Sequence, residues 1–165
     1  MTTPPICSYC GATATLVTGA RLYAHRPELA GRSFWECAAC QAWVGCHTPR
    51  GDDDPECPRP LCTLADASLR RWRNSAHALF DPLWQSGQMT RGQAYEWLAK
   101  KMGLSKAQCF IGGFTEAQCK AAVEICARAP GDDAPVSADY MQAMRDFAAV
   151  EVARTDNASK TPSLL

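Results

Sequence analysis

An α+β architecture is what this sequence predicts: a cysteine-tied module of short antiparallel strands, then a small helical domain of three to five helices. Three observations carry that expectation. Two C-x-x-C pairs bracket a stretch rich in Thr, Val and aromatic residues. From about Thr63 the apolar residues recur at helical spacings of three and four. Three N-terminal capping signals then follow between Thr90 and Gln118. The expected divisions are 1–62 for the first module, 63–130 for the helical domain, and 131–165 for an acidic linker, an amphipathic helix and a disordered tail.

The first module is read from its cysteines. Cys7 and Cys10 stand in CSYCG, Cys37 and Cys40 in CAACQ, with 26 residues between the pairs. Soft thiolates suit Zn²⁺, and a C-x-x-C turn places two sulfurs on one metal while nearby backbone N–H groups point at them. A redox C-x-x-C sits beside a βαβ pattern, and none is visible here. The expectation is therefore a four-cysteine zinc ribbon with Cys7, Cys10, Cys37 and Cys40 as ligands of one structural zinc ion. Four thiolates leave no open coordination position. Around the pairs, Ala12–Thr18 reads as a strand ended by Gly19, Arg21–Ala24 as its return strand, and Ser33–Glu36 and Gln41–Val44 as two more.

Cys46, His47, Cys57 and Cys62 follow in the order C-H-x₉-C-x₄-C. They pose three alternatives, a second metal site, a solvated loop around GDDDPE, or a Cys–His nucleophilic pair, the last disfavoured because no orienting third group is identifiable. Against the first, adjacent side chains on a strand point to opposite faces, which separates Cys46 from His47.

In the helical half, Ala65, Leu69, Trp72, Ala76, Leu79 and Phe80 form one stripe, closed by Pro82. On its flank lie Arg70, Arg73, Asn74 and His77. One reading makes Arg70, Arg73 and His77 a cationic ridge for nucleic-acid phosphate; the competing one makes them a solvated face whose arginine stems lie over the core. Thr90…Gln93, Ser105…Gln108 and Thr115…Gln118 each match a capping box. They predict a helix over 91–102 stopped by Gly103, a short helical turn broken at Gly112-Gly113, and a helix over 116–128. Cys119 and Cys126 share the apolar face of the last helix, and Cys109 is also expected to be buried. Ser137 then introduces a further amphipathic helix through Tyr140, Met144, Phe147 and Ala148.

Charge sharpens the partner question. The chain has 17 basic and 17 acidic residues, so no global field draws it to nucleic acid. The distribution is uneven: 66–101 holds six basic side chains against three acidic, and 131–165 the reverse imbalance. No apolar run reaches the ~20 residues of a membrane span. The N-terminus lacks a signal-peptide pattern, so a cytoplasmic protein with reduced thiols is expected.

The ordered series CSYCG, FWECAACQAWVGCH, PLCTLADASLRRWRNSAHALFDPLW and RGQAYEWLA resembles a zinc-finger-containing family of unknown function found in bacteriophages and prophages. The resemblance covers roughly residues 6 to 126. It implies that Cys7, Cys10, Cys37 and Cys40 are the zinc ligands and suggests a phage-related origin. Two features depart from the family pattern, the length of the GDDDPEC insertion and Cys62 in place of a glycine.

The expected function is a non-catalytic zinc-binding accessory protein. Its partner would be nucleic acid or a host protein that handles nucleic acid, in regulation or counter-defence. The rival is a protein-interaction module or inhibitor without nucleic-acid contact. A nuclease or hydrolase using His47 or His77 is disfavoured, because the chain has no H-E-x-x-H and no recognisable nucleophile motif. No membrane partner is expected, and oligomeric state is left open.

Overall fold

Thr and Val at Thr15–Thr18 (β1) and the aromatic residues of Ser33–Cys37 (β2) and Ala42–Gly45 (β3) suit a pleated, half-buried surface. The three pair antiparallel in the order β1-β2-β3. Register aligns Leu16, Trp35 and Val44 on one face, and Val17, Phe34 and Gly45 on the other. The computed structural model describes residues 3–48, 58–87, 89–128 and 146, and it falls into two units, Met1–Ala67 and Ser68–Leu165.

In the first unit, Trp35, Cys37, Ala42 and Val44 bury one face of the sheet with Cys7, Ala14 and Leu64. The chain then returns along β3. The His47 N–H donates to the Arg59 carbonyl, the Leu61 N–H to that of Gly45, and Trp43 and Ala65 exchange backbone bonds. Ala65 thus belongs to this pairing and not to the helical stripe in which its spacing placed it.

The segment Arg21–Ala24 is not a return strand. Gly19–Leu22 is a single helical turn (α1), and a 3-10 turn at Pro27–Leu29 follows before β2. The cause is close backbone approach at Gly19. A Cβ there would stand 1.8 Å from the Leu29 carbonyl oxygen, so only glycine admits this fold-back. Tyr23, carried out of the turn, packs its ring 5.5 Å from that of Phe34 and accepts a hydrogen bond from Trp43 Nε1.

The second unit is built from Ala67–Phe80 (α2), Pro82–Gln85 (α3), Arg91–Met102 (α4) and Glu116–Arg128 (α5). α2 buries Leu69, Trp72, Ala76, Leu79 and Phe80, as its apolar spacing requires. Pro82 both ends α2 and starts α3, because its missing N–H is harmless at a first helical position. Thr90 and Gln93 make the full capping box of α4, and Gly103 ends that helix at φ 66°. Thr115 and Gln118 do the same for α5. Ser105 and Gln108 make only half of one. The Gln108 N–H bonds the Ser105 carbonyl, and a turn results. Cys109, Cys119 and Cys126 are all buried, and desolvation pushes each thiol up, Cys126 to about 12. The expected helix after Ser137 and the tail lie outside the described residues, Asp146 apart.

Candidate metal centre

Each C-x-x-C pair occupies the tip of a hairpin. The first tip lies inside the Ile6–Thr13 bridge, and the second is the β2–β3 turn closed by Cys37 and Ala42. At the first tip the Cys7 N–H donates to Ala12 at 2.8 Å and the Gly11 N–H to Cys7 at 2.9 Å. Tyr9, between the two cysteines, accepts a hydrogen bond from the Asp66 N–H through its hydroxyl.

Both tips turn the chain left-handed just after their second cysteine, with Gly11 at φ 75° and Gln41 at φ 50°. Glycine takes that conformation without steric cost; glutamine does not. Gln41→Gly is therefore expected to raise stability by about 0.5–1 kcal/mol, and Gly11→Ala to lower it by about 1 kcal/mol. Thermal melts of the zinc-loaded protein check both signs.

The four Sγ atoms of Cys7, Cys10, Cys37 and Cys40 all lie within 4.8 Å of one another. Cys10 and Cys37 approach to 3.6 Å, far outside the ~2.05 Å of a disulfide. Tetrahedral thiolates at ~2.3 Å from zinc stand about 3.8 Å apart, so these spacings suit one such ion. Burial is graded: Cys7 and Cys37 are buried, Cys40 is half-buried and Cys10 is exposed.

The thiols compete electrostatically. Burial pushes Cys7 up, but backbone hydrogen bonds from Tyr9 and Cys10 and contacts with Cys37 and Cys10 outweigh it and hold that thiol at about 7. For Cys37 the backbone bond from Cys40 acts downward, yet burial and the neighbouring thiols raise it overall. Contact with Cys10, followed by burial, pushes Cys40 up to about 12. Once one sulfur ionises, like-charge repulsion therefore opposes the next. A divalent cation reverses that balance, and binding it releases protons. The donor set fits one structural zinc. With all four positions filled by sulfur, no site is left for an activated water.

The remaining sequence candidates divide. Among the described residues, the four cysteines are the only group of three or more His, Cys, Asp or Glu placed to hold a metal. Cys46 and Cys62 pack on the core of the first unit, His47 is exposed, and Cys57 lies outside the described residues. Arg73 departs from the exposure that both the ridge and the solvated-face readings give it. It is 7% exposed, and its Nη2 donates to the Phe114 carbonyl at 3.1 Å. It sits four residues after Leu69 and three before Ala76, at the edge of the buried stripe. Arg70 is half-buried, and His77 Nδ1 faces Asp81 Oδ1 at 3.2 Å.

A second cationic group, absent from the expected ridge, lies at the start of α4. Trp84 Nε1 donates to the same Asp81 oxygen that faces His77, and the Arg91 guanidinium lies over both Trp84 and Tyr95, 5.6 Å from each ring centre. Aromatic residues at positions 84 and 95 flanking an arginine at a helix start were the available signal.

Residues 3–129 match the model of a family described as a zinc-finger-containing domain. No curated protein and no solved structure matches the chain.

Proposed function

This chain belongs to the zinc-finger-containing domain family, and from that premise we propose that it is a non-catalytic zinc-binding module, of phage type, that binds nucleic acid or a host protein that handles nucleic acid. The observation that carries this reading is the closed four-thiolate centre, which spends the metal on architecture and leaves it no open position for chemistry. The partner class rests on charge and aromatic content. The segment 66–101 carries six basic side chains against three acidic, Tyr9 is 45% exposed between Cys7 and Cys10, and the β1–β2 connection exposes Arg32 together with Arg21 and Arg26, which pair with Glu36 and Glu28.

Fluorescence anisotropy with labelled single- and double-stranded DNA and RNA tests it. Binding is expected to weaken steeply between about 50 and 200 mM salt, as counterion release requires. No binding to any of these, together with no nucleic-acid-handling protein captured from host extract, overturns the proposal.

A second reading, a protein-interaction module without nucleic-acid contact, is favoured by the exposed Ile6, Leu16 and Leu61 of the first unit. It requires a protein partner that survives nuclease treatment. Among the described residues no helix is long and apolar enough to cross a membrane.

A further inference from the structure

We propose that Arg91, held against Trp84 and Tyr95, is a phosphate-binding residue for a nucleic-acid strand on the second unit. This deepens the nucleic-acid reading above and rests on it. Arg91 is exposed, at the first position of α4, and its guanidinium contacts both rings at 5.6 Å. The rings are themselves fixed. Trp84 Nε1 donates to Asp81, and Tyr95 packs 4.5 Å from the fully buried Phe80. An arginine restrained in this way has already lost part of its side-chain entropy. At this distance the attraction to the rings is of the cation–π kind, which uses the charge and none of the N–H groups, so these can still donate to a planar acceptor such as a phosphate.

Nearby acidic groups are directed elsewhere. Asp81 faces His77 and Trp84, and Glu96 is paired with Lys106. None of the described carboxylates forms an ion pair with Arg91. The same helix ends in Lys100 and Lys101; at ~100° per residue Lys101 lies about 80° round the helix from Arg91 and Lys100 on the opposite side. A polyanion running along the Arg91 side of α4 would pass Lys101 and not Lys100.

The test uses the full-length zinc-loaded chain, with fluorescein-labelled single-stranded DNA and RNA and a labelled phosphoserine peptide as probes. Arg91→Ala is expected to weaken strand binding about tenfold. It should also reduce the salt slope by about 0.7, the share of one single-strand phosphate. Arg91→Lys should keep the slope and still bind more weakly, because it retains the charge and loses the fork. Lys100→Ala, an exposed single-charge change on the same helix, should cost distinctly less. Circular dichroism and melting of each variant should match the parent, since Thr90 and Gln93 hold the helix start without Arg91.

A parent that binds the strand with Arg91→Ala unchanged, or with Arg91→Ala no worse than Lys100→Ala, overturns this inference and leaves the broader function standing. Preference for the phosphoserine peptide overturns the nucleic-acid assignment of the site. A parent that binds neither strand overturns the inference and removes its premise.

Discussion

Replacing Cys37 with serine is expected to strip the zinc and unfold the first unit. Cys37 is 3% exposed and belongs both to the metal set and to the core that buries one face of the sheet. Among the described residues, the large aliphatics of that core are Val44 and Leu64 alone. A structural zinc contributes roughly 10–16 kcal/mol of apparent binding energy, comparable with the whole ~5–15 kcal/mol stability of an ordinary domain. Without it, three short strands cannot offset the conformational entropy of ordering them. Metal analysis should find about one zinc per chain in the parent and almost none in Cys37→Ser. Indole fluorescence should report loss of the Trp35 and Trp43 environments. Strong chelation of the parent should give the same spectrum. Acid should as well, because protons compete for the thiolates: the metal is held at higher pH and lost as pH falls. A serine variant that keeps its zinc and its melting temperature would refute the four-thiolate assignment.

The next largest effect is expected at Arg73. Its guanidinium sits inside the second unit and supplies a donor to the Phe114 carbonyl, just before the α5 cap. Arg73→Ala removes that donor, leaves a buried carbonyl short of a partner, and deletes a long stem packed at the edge of the stripe. A loss of about 3 kcal/mol follows, or a melting midpoint roughly 10–20 °C lower. Arg73→Met keeps the stem and loses the donor, so it should fall between. If Arg73→Ala melts like the parent and weakens only nucleic-acid binding, Arg73 acts as the ridge reading had it.

The metal centre was legible because its signal is local. Two residues between cysteines suffice to place both sulfurs on one side of a turn, and two such turns define four ligands whatever the intervening chain does. Helix ends were legible for a similar reason, since Thr90 and Gln93 satisfy backbone donors within three residues of each other. Arg21–Ala24 was not, because its conformation is decided by Leu29, ten residues beyond Gly19. Arg73 was not, because spacing locates a side chain around a helix but not the end to which a long amphipathic stem reaches. The Arg91 group was not, because Trp84 lies before the α3–α4 turn and Tyr95 after it, and only the fold brings both rings to one guanidinium.

The graded burial of the four sulfurs bears on time as well as on strength. Cys7 and Cys37 are shut inside the first unit, whereas Cys10 faces solvent. Competing chelators and oxidants are therefore expected to reach Cys10 first, then half-buried Cys40, and the buried pair last. A four-thiolate centre with no open position would thus still have one most accessible ligand, and Cys10→Ser should shorten zinc retention in a chelator chase.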